Sequence, residues 1–369
     1  MAKFLLVTCD TAPTKALQQL ADELKNQGHE VRAFLLNAGK NEAPSDPELA
    51  DAVEQADVVV CGISSEKNAE LELMAADYAN ISSKKLGMYA DSFDRWQAEH
   101  LDTVLPIADF LFVINEEEAQ RAREMYPNLR VEAVGNPEWY KYFLPAGRSA
   151  ARALVGAHEH ECVVFVPFTK NKDVNMGKVA VVLQAVGHAL PVGESYQYSG
   201  PVRMVINIHP GDKTPPSFYN DRLSALAVPR ALEAVFSDKN ADDLIPGADI
   251  VIGPSTAVAV HAMARMLPLA DITTPAIRKW LGEESGDEHS YAVQHGGSFE
   301  VSEKGFADLT GLLVYLTESF EDPIIVGEWR ERLQKQAERQ KALIPRSIEG
   351  ESIGRIAELL LDVRQPVTA

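Results

Sequence analysis

The sequence predicts an α/β protein with two mostly parallel sheets in tandem, each covered by helices. Three observations carry that expectation. Short apolar runs alternate with amphipathic helical patterns along most of the 369 residues. Several runs, DVVVC and DFLFVI among them, are apolar on both alternating faces, as a strand between two helix layers requires. The length also exceeds one ordinary domain of roughly 100–200 residues.

The elements follow in order. KFLLV reads as the first strand, TKALQQLADELKNQG as an amphipathic helix closed by Gly28, and EVRAFLL as the second strand. The beat continues through ELADAVEQ, DVVVCG, NAELELMAADYA, KLGMYA, DFLFVI, EEEAQRAREMY and RVEAVG, giving about six strands by Gly135. GNPEWYKYFLPAGRSAARALVGAHEHE is rich in turn formers and aromatics and reads as a linker with one helix. A second series begins at CVVFVPF and runs through a helix near VNMGKVAVVLQAVGHAL, RMVINIHP, a helix near DRLSALAV, LEAVFS, ADIVIGP, TAVAVHAMARM and LPLADI. The remainder is helical in three segments punctuated by Pro323 and Pro345. The expected division is a first domain over 1–145, a second over 146–345 and a closing helical segment over 346–369.

Composition narrows the function classes. With 46% hydrophobic and 24% charged residues, the chain is an ordinary globular one. Its 35 basic and 54 acidic residues give a net charge of −19. Before residue 145 there are 13 basic and 25 acidic residues, or −12; after it there are 22 and 29, or −7. Such a chain repels phosphate backbones and anionic membranes at long range, so no nucleic-acid partner and no strong membrane binding are expected. Cys9, Cys61 and Cys162 lie at the ends of apolar runs without metal-type spacing and read as buried thiols. The apolar run near the N-terminus is too short for a secretory or spanning segment, and a soluble, cytoplasmic protein is expected.

In parallel sheets covered on both faces, ligands meet the chain at the carboxyl ends of the strands. The first polar residues after each run therefore rank highest. In the first domain these are Cys9-Asp10-Thr11, Gly62-Ile63-Ser64-Ser65, Asp91-Ser92, Asn115-Glu116 and Gly135-Asn136. In the second they are Thr169-Lys170-Asn171, His209-Pro210-Gly211-Asp212-Lys213 and Gly253-Pro254-Ser255-Thr256. In GPSTAVAVHAMARM, Ser255 or Thr256 stands at a helix mouth, where free amides and the helix dipole suit an anion, although a plain cap needs no ligand. In VINIHPGDK, an imidazole (His209) and an ammonium (Lys213) flank a Pro-Gly turn and suit a diphosphate, with Lys170 as a further cation. HEHEC at 158–162 reads as a solvated turn, and DEHSYAVQHGG, with His289 and His295, as a surface loop. Trp96, Trp139 and Tyr140 offer faces for a sugar or base, although core packing is the commoner role. No GxGxxG, Walker A or GxSxG pattern occurs.

On these segments the chain resembles the GT-B superfamily, which holds nucleotide-sugar glycosyltransferases and non-hydrolysing UDP-N-acetylglucosamine 2-epimerases. VGNPEWYKY resembles the interdomain segment of those enzymes, VINIHPGDK their His-Pro strand end, and ADIVIGPSTAVAVHAMARMLPLADI the segment leading to the donor-binding helix. IEGESIGRIAELLLDV resembles their closing helix, which crosses back to the first domain. The resemblance implies two facing Rossmann-like domains, with acceptor on the first and donor on the second. By position it puts His209 on a donor phosphate, Ser255 and Thr256 at the phosphate-binding hydroxyl pair, and Asp91 near the acidic residue that the epimerases use in the first domain and that some transferases replace with a base for the acceptor. The chain departs from the pattern where the acid that holds the sugar or ribose is expected, since Val260 or His261 stands there. It also lacks the epimerase His-Val-Glu-Ala-Gly run.

Three activities stay open. The first is transfer of a sugar from a nucleotide-sugar donor to a hydroxyl acceptor, with no cofactor and no metal. Thr169, Lys170, His209, Lys213, Ser255, Thr256 and His261 would then hold the donor, and Asp91 or Asp10 would be the base. The second is 2-epimerisation of a nucleotide sugar, with Asp91 and His209 as acid/base partners. The third is nucleotide binding without turnover.

Overall fold

The structure, a computed structural model, describes all residues except 146, 190–201, 227, 231, 254–255, 286–287, 303–305, 318–322 and 363–369, and the side chains of 256, 284–285 and 306. The chain divides into two compact units: Met1–Phe143 together with Pro345–Ala369, and Leu144–Ile344.

The first unit is a sheet of six parallel strands: β1 (Lys3–Thr8), β2 (Glu30–Leu35), β3 (Val58–Gly62), β4 (Lys85–Tyr89), β5 (Phe110–Val113) and β6 (Arg130–Ala133). Their spatial order is β2-β1-β3-β4-β5-β6. Four helices connect them: α1 (Thr11–Asn26), α2 (Asp46–Gln55), α3 (Glu70–Ile81) and α4 (Glu116–Met125). The period-2 alternation of strands sorts the side chains onto two faces. Leu5, Val7, Val59, Cys61, Leu86, Met88, Leu111 and Val113 pack beneath α2, α3 and α4. Phe4, Leu6, Val58, Val60, Tyr89, Phe110 and Phe112 form the opposite core.

That second core needs two helices to cover it. One is α1, through Leu17, Leu20, Ala21 and Leu24. The other is the last helix of the chain, Glu351–Asp362 (α14), through Ile353, Ile356, Ala357 and Leu360. The i, i+3, i+4, i+7 spacing of those four residues puts them on one stripe. This is the physical reason the chain returns to the first unit after completing the second.

The second unit repeats the plan with a different connection order. Its strands are β7 (Cys162–Pro167), β8 (Val202–Asn207), β9 (Leu232–Ser237), β10 (Ile250–Gly253), β11 (Leu269–Thr273) and β12 (Phe299–Ser302), all parallel in the order β12-β11-β10-β7-β8-β9. Its helices are α5 (Arg148–Ala153), α6 (Lys172–Ala189), α7 (Pro216–Ala225), α8 (Ala241–Leu244), α9 (Thr256–Ala264), α10 (Pro275–Ser285), α11 (Tyr291–Gln294), α12 (Phe306–Leu316) and α13 (Pro323–Leu343). Both units thus have the layered parallel architecture read from the sequence.

One strand was not anticipated. The stretch read as a surface loop around His289 and His295 holds α11, and β12 follows it directly. β12 is an edge strand that pairs only with β11, and of its four residues only Val301 is buried. An edge strand this short lacks the apolar run that marks the others.

Strand order locates the crevices. In the first unit the chain leaves β1 for β2 on one side and β3 on the other. In the second it leaves β7 for β8 on one side, while β10 flanks β7 on the other. At such reversals successive helices cover opposite faces and a crevice opens at the carboxyl ends of the two strands.

The α14 stripe gives a direct check. Ile356→Ala should cost the first unit about 3 kcal/mol through lost burial and a residual cavity. Trp96 and Trp139 belong to the first unit and Trp280 and Trp329 to the second, so single-tryptophan variants in urea separate the two transitions. The first should move and the second stay; equal movement of both would contradict the assignment of α14.

Candidate functional site

At the β1/β3 crevice of the first unit, Asp10 follows β1. Its carboxylate accepts from the amide of Ser65 (2.7 Å) and the side-chain amide of Asn68 (2.5 Å), both beyond β3, and from a guanidinium nitrogen of Arg95 (3.5 Å). Burial works to raise its proton affinity, but these donors and the Arg95 charge prevail and hold it below the ordinary carboxylate range. Asp91, after β4, is only 7% exposed. Burial pushes it up from 3.8 to about 6, with Arg95 opposing and Asp10 adding to the rise. Two neighbouring carboxylates are therefore pushed apart in proton affinity around one shared arginine, which is how environment divides acid and base roles.

The loop that carries Asp91 and Arg95 is pinned from below. Asn136 donates its side-chain amide to the Asp91 carbonyl (2.6 Å). The fully buried Glu118, in the first turn of α4, accepts from the Asp94 amide (2.9 Å) and the Trp96 indole (2.8 Å). Trp96 is thus a core residue and an anchor, and Trp139 is likewise buried, against Phe93. Asn68, Arg95 and Glu118 were not singled out from sequence; they lie in turns or on a helix, away from the strand ends.

In the second unit, an open groove of about 540 Å³ lies between the β7–α6 and β8–α7 loops, lined by Lys170, Lys172, Lys213, Asp212, Thr214 and Phe218, among others. Its walls are tied together through buried polar groups. Thr169 donates its amide to the Asn175 side chain (2.7 Å), Asn175 donates to the Tyr219 hydroxyl (3.1 Å), and that hydroxyl donates to Asp212 (2.6 Å). Asp212 also accepts from the Thr214 amide (2.8 Å). These donors outweigh burial and keep Asp212 ionised, with its acceptor capacity directed into the wall. The three ammonium groups remain as the charge offered to a ligand.

His209 adjoins this groove. A Cβ on Gly211 would stand 3.0 Å from Lys170 Cε and 3.2 Å from the imidazole, so Gly211 is what lets lysine and histidine close around the turn. The Gly211 amide donates to His209 Nδ1 (2.9 Å), which leaves the proton of the neutral ring on Nε2. Burial, and then the Lys170 charge, lower its proton affinity against Asp212, so the ring is a neutral donor near pH 7.

The remaining candidates are placed otherwise. Ser255 lies outside the described residues, as does the side chain of Thr256, whose backbone opens α9. His261 is buried inside the unit, with Nδ1 3.2 Å from Asp242 and Nε2 accepting from Arg265 (2.8 Å). Both ring nitrogens are engaged within the protein. Beneath the β7/β10 crevice sits a buried pair that sequence reading missed, Lys178 and Asp271. Lys178 donates to the Pro167 carbonyl, and Asp271 accepts from Ser290. Burial lowers Lys178 to about 7 and raises Asp271 to about 6. Any side chain at Gly253 would overlap the Asp271 carboxylate.

Among the described residues no group of three or more His, Cys, Asp or Glu is arranged to hold a metal ion, and no helix is long and apolar enough to cross a membrane.

No protein-family model matches the sequence, and no curated protein matches it either. Solved structures do match the fold. A UDP-N-acetylglucosamine 2-epimerase described as putative, from Listeria monocytogenes, aligns with a TM-score of 0.60 at 11% identity over 98% of this chain and 96% of its own. A glycosyltransferase from Rickettsia africae aligns at 0.58 and 11% identity over 99% of both chains. Anabaena HepE, solved in complex with UDP, aligns at 0.55 and 13% identity over 98% of this chain and all of its own. The chain therefore has the GT-B fold of these proteins, two Rossmann-like units in one polypeptide, which is the fold expected from the sequence.

The Asp91 geometry makes a signed prediction. A carboxyl raised from 3.8 to about 6 binds its proton more tightly in the native state than in the unfolded chain. Ionisation between about pH 4 and pH 6 thus removes stability, by about 3 kcal/mol at 1.4 kcal/mol per pH unit. Asp91→Asn should therefore stabilise the protein at pH 7 by about 2 kcal/mol, the loss of the anion beside Arg95 offsetting the rest, and the gain should vanish by pH 4. Urea denaturation at the two pH values checks it; a destabilised variant at pH 7 would contradict the burial argument.

Proposed function

We propose that the chain is a nucleotide-sugar enzyme of the GT-B kind, a glycosyltransferase that moves a sugar from a nucleotide-sugar donor to a hydroxyl acceptor. The observation that carries this reading is the three-lysine groove beside His209, at the strand ends of the second unit of a chain with net charge −19. A local cation cluster on so acidic a protein is the arrangement that selects a phosphorylated ligand. In this reading Lys170, Lys213 and the Nε2–H of His209 contact the donor phosphates, and Lys172 adds charge. They stabilise the negative charge that builds as the sugar–phosphate bond breaks, so the reaction requires no metal. Thr169 contributes by holding the groove wall. Thr256, whose backbone opens α9, would add a helix-mouth amide.

Asp91 is the proposed base. With a proton affinity near 6 it is ionised at pH 7 yet close enough to accept a proton from the acceptor hydroxyl as its oxygen attacks the anomeric carbon. Asp10, held ionised by three donors, keeps Arg95 in place. Solved neighbours with UDP or UDP-N-acetylglucosamine bound support the donor class.

A 2-epimerase would use the same fold and the same acid and histidine, and the epimerases among the neighbours favour it as the second reading. Incubation in deuterium oxide separates the two: inversion with deuterium at C2 of an N-acetylamino sugar marks epimerisation, and its absence alongside donor turnover marks transfer.

The reading is tested first by a thermal-shift panel of UDP, CMP, GDP, ADP and dTDP, since a ligand of the native state raises the melting temperature. At least one nucleotide should do so. Lys170→Ala and Lys213→Ala should each weaken that nucleotide about tenfold, the value of one charge-assisted contact. If no nucleotide shifts the wild-type transition, the proposal fails.

A further inference from the structure

Glu72 is the least economical residue of the first unit. It lies on α3 in register with Ala75, Ala76 and Ala79, on the face that packs against the sheet, and is 2% exposed. An acid there costs several kcal/mol unless paired, and a leucine would avoid the cost. Among the described residues no cation forms an ion pair with it; the titratable groups around it are Cys9 and Cys61. One of its carboxylate oxygens has no hydrogen-bond partner.

The other oxygen is fully used. It accepts from the Cys9 amide (2.9 Å) and from the Ser64 hydroxyl. Ser64 Oγ, with its proton given to Glu72, accepts in turn from the amides of Asp10 (2.8 Å) and Cys9 (3.3 Å). The next residue, Ser65, donates its amide to the Asp10 carboxylate. Hydrogen bonds thus run from Glu72 through Ser64 to the Asp10 backbone amide, the peptide after Ser64 carries the Ser65 amide to the Asp10 carboxylate, and that carboxylate meets Arg95. Together they span the reversal point between β1 and β3.

We propose that Glu72 is a positioning residue. Through Ser64 it clamps the ends of β1 and β3 together, and so sets where the Asp10 carboxylate stands against Arg95 and beside Asp91. This rests on the reading of Asp10 and Asp91 as the reactive carboxylates. With the clamp removed, Asp10 loses its fixed donors, and Arg95 is free to turn toward Asp91. The charged groups that act on Asp91 are Arg95 and Asp10, with the Tyr89 hydroxyl buried beside them.

The test needs no substrate. Carboxyl-carbon NMR of full-length protein labelled at aspartate follows the titration midpoints of Asp10 and Asp91. In Ser64→Ala and Glu72→Leu the two should move toward each other by about one pH unit, Asp10 upward and Asp91 downward, as one charge contact is exchanged. Glu72→Gln keeps an acceptor oxygen for Cys9 and Ser64 and should retain the wild-type midpoints. Leu20→Ala, a core variant of the same unit, should also leave them in place while lowering stability. The proposal is overturned if Ser64→Ala and whichever of the Glu72 variants folds leave both midpoints unchanged, or if Glu72→Gln moves them as far as Ser64→Ala does. If Asp91 in the wild type titrates as an ordinary carboxylate, the reading of the catalytic pair fails instead, and the two failures are told apart.

Discussion

A parallel sheet covered by helices on both faces leaves its chain few places to put a polar side chain. The interiors of the central strands β1, β3, β7 and β10 are apolar on both sides, and their amides are spent on neighbouring strands. The remaining freedom lies at the strand ends, and parallel order gathers all the carboxyl ends at one edge. In both units of this protein that edge carries the candidate residues: Asp10 and Asp91 in the first, Lys170, His209 and Lys213 in the second. The reversals of strand order at β1/β3 and β7/β10 open a crevice in each sheet, and the lysine groove of the second unit lies on the other side of β7, between the β7 and β8 loops.

The two edges differ in sign. The first holds carboxylates around a single arginine, and the second holds lysines around a carboxylate already committed to Tyr219 and Thr214. Both sit on buried polar groups that are expensive to keep: Glu72 and Glu118 under the first, Asn175, Lys178 and Asp271 under the second. Glu72, Glu118 and Asn175 each tie a strand-end loop to a neighbouring element through hydrogen bonds.

Much of this was legible in the sequence, and the reason is the same constraint. Apolar runs of fixed length announce strands, and the first polar residue after each run is forced to the edge, so Asp10, Asp91, Lys170, His209 and Lys213 could be named without coordinates. Arg95, Asn68 and Lys172 could not, because they reach the edge from turns and a helix start that no periodicity marks. Glu72 and Lys178 did leave a signal: each is a charge at a position of a helix whose i+3, i+4 and i+7 neighbours are small or apolar. His261 shows the limit of positional resemblance, since its place in the pattern gave no hint that Asp242 and Arg265 would occupy both ring nitrogens. β12 shows the limit of periodicity for an edge strand of four residues.

The most direct test of the account is hydrogen–deuterium exchange of the intact chain, with and without a saturating nucleoside diphosphate sugar. The account predicts slowed exchange in the loops that follow Pro167 and Asn207, at the carboxyl edge of the second sheet, with the strand interiors already protected in both states. Protection confined to the opposite edge of that sheet, or none in either loop at full occupancy, would contradict it.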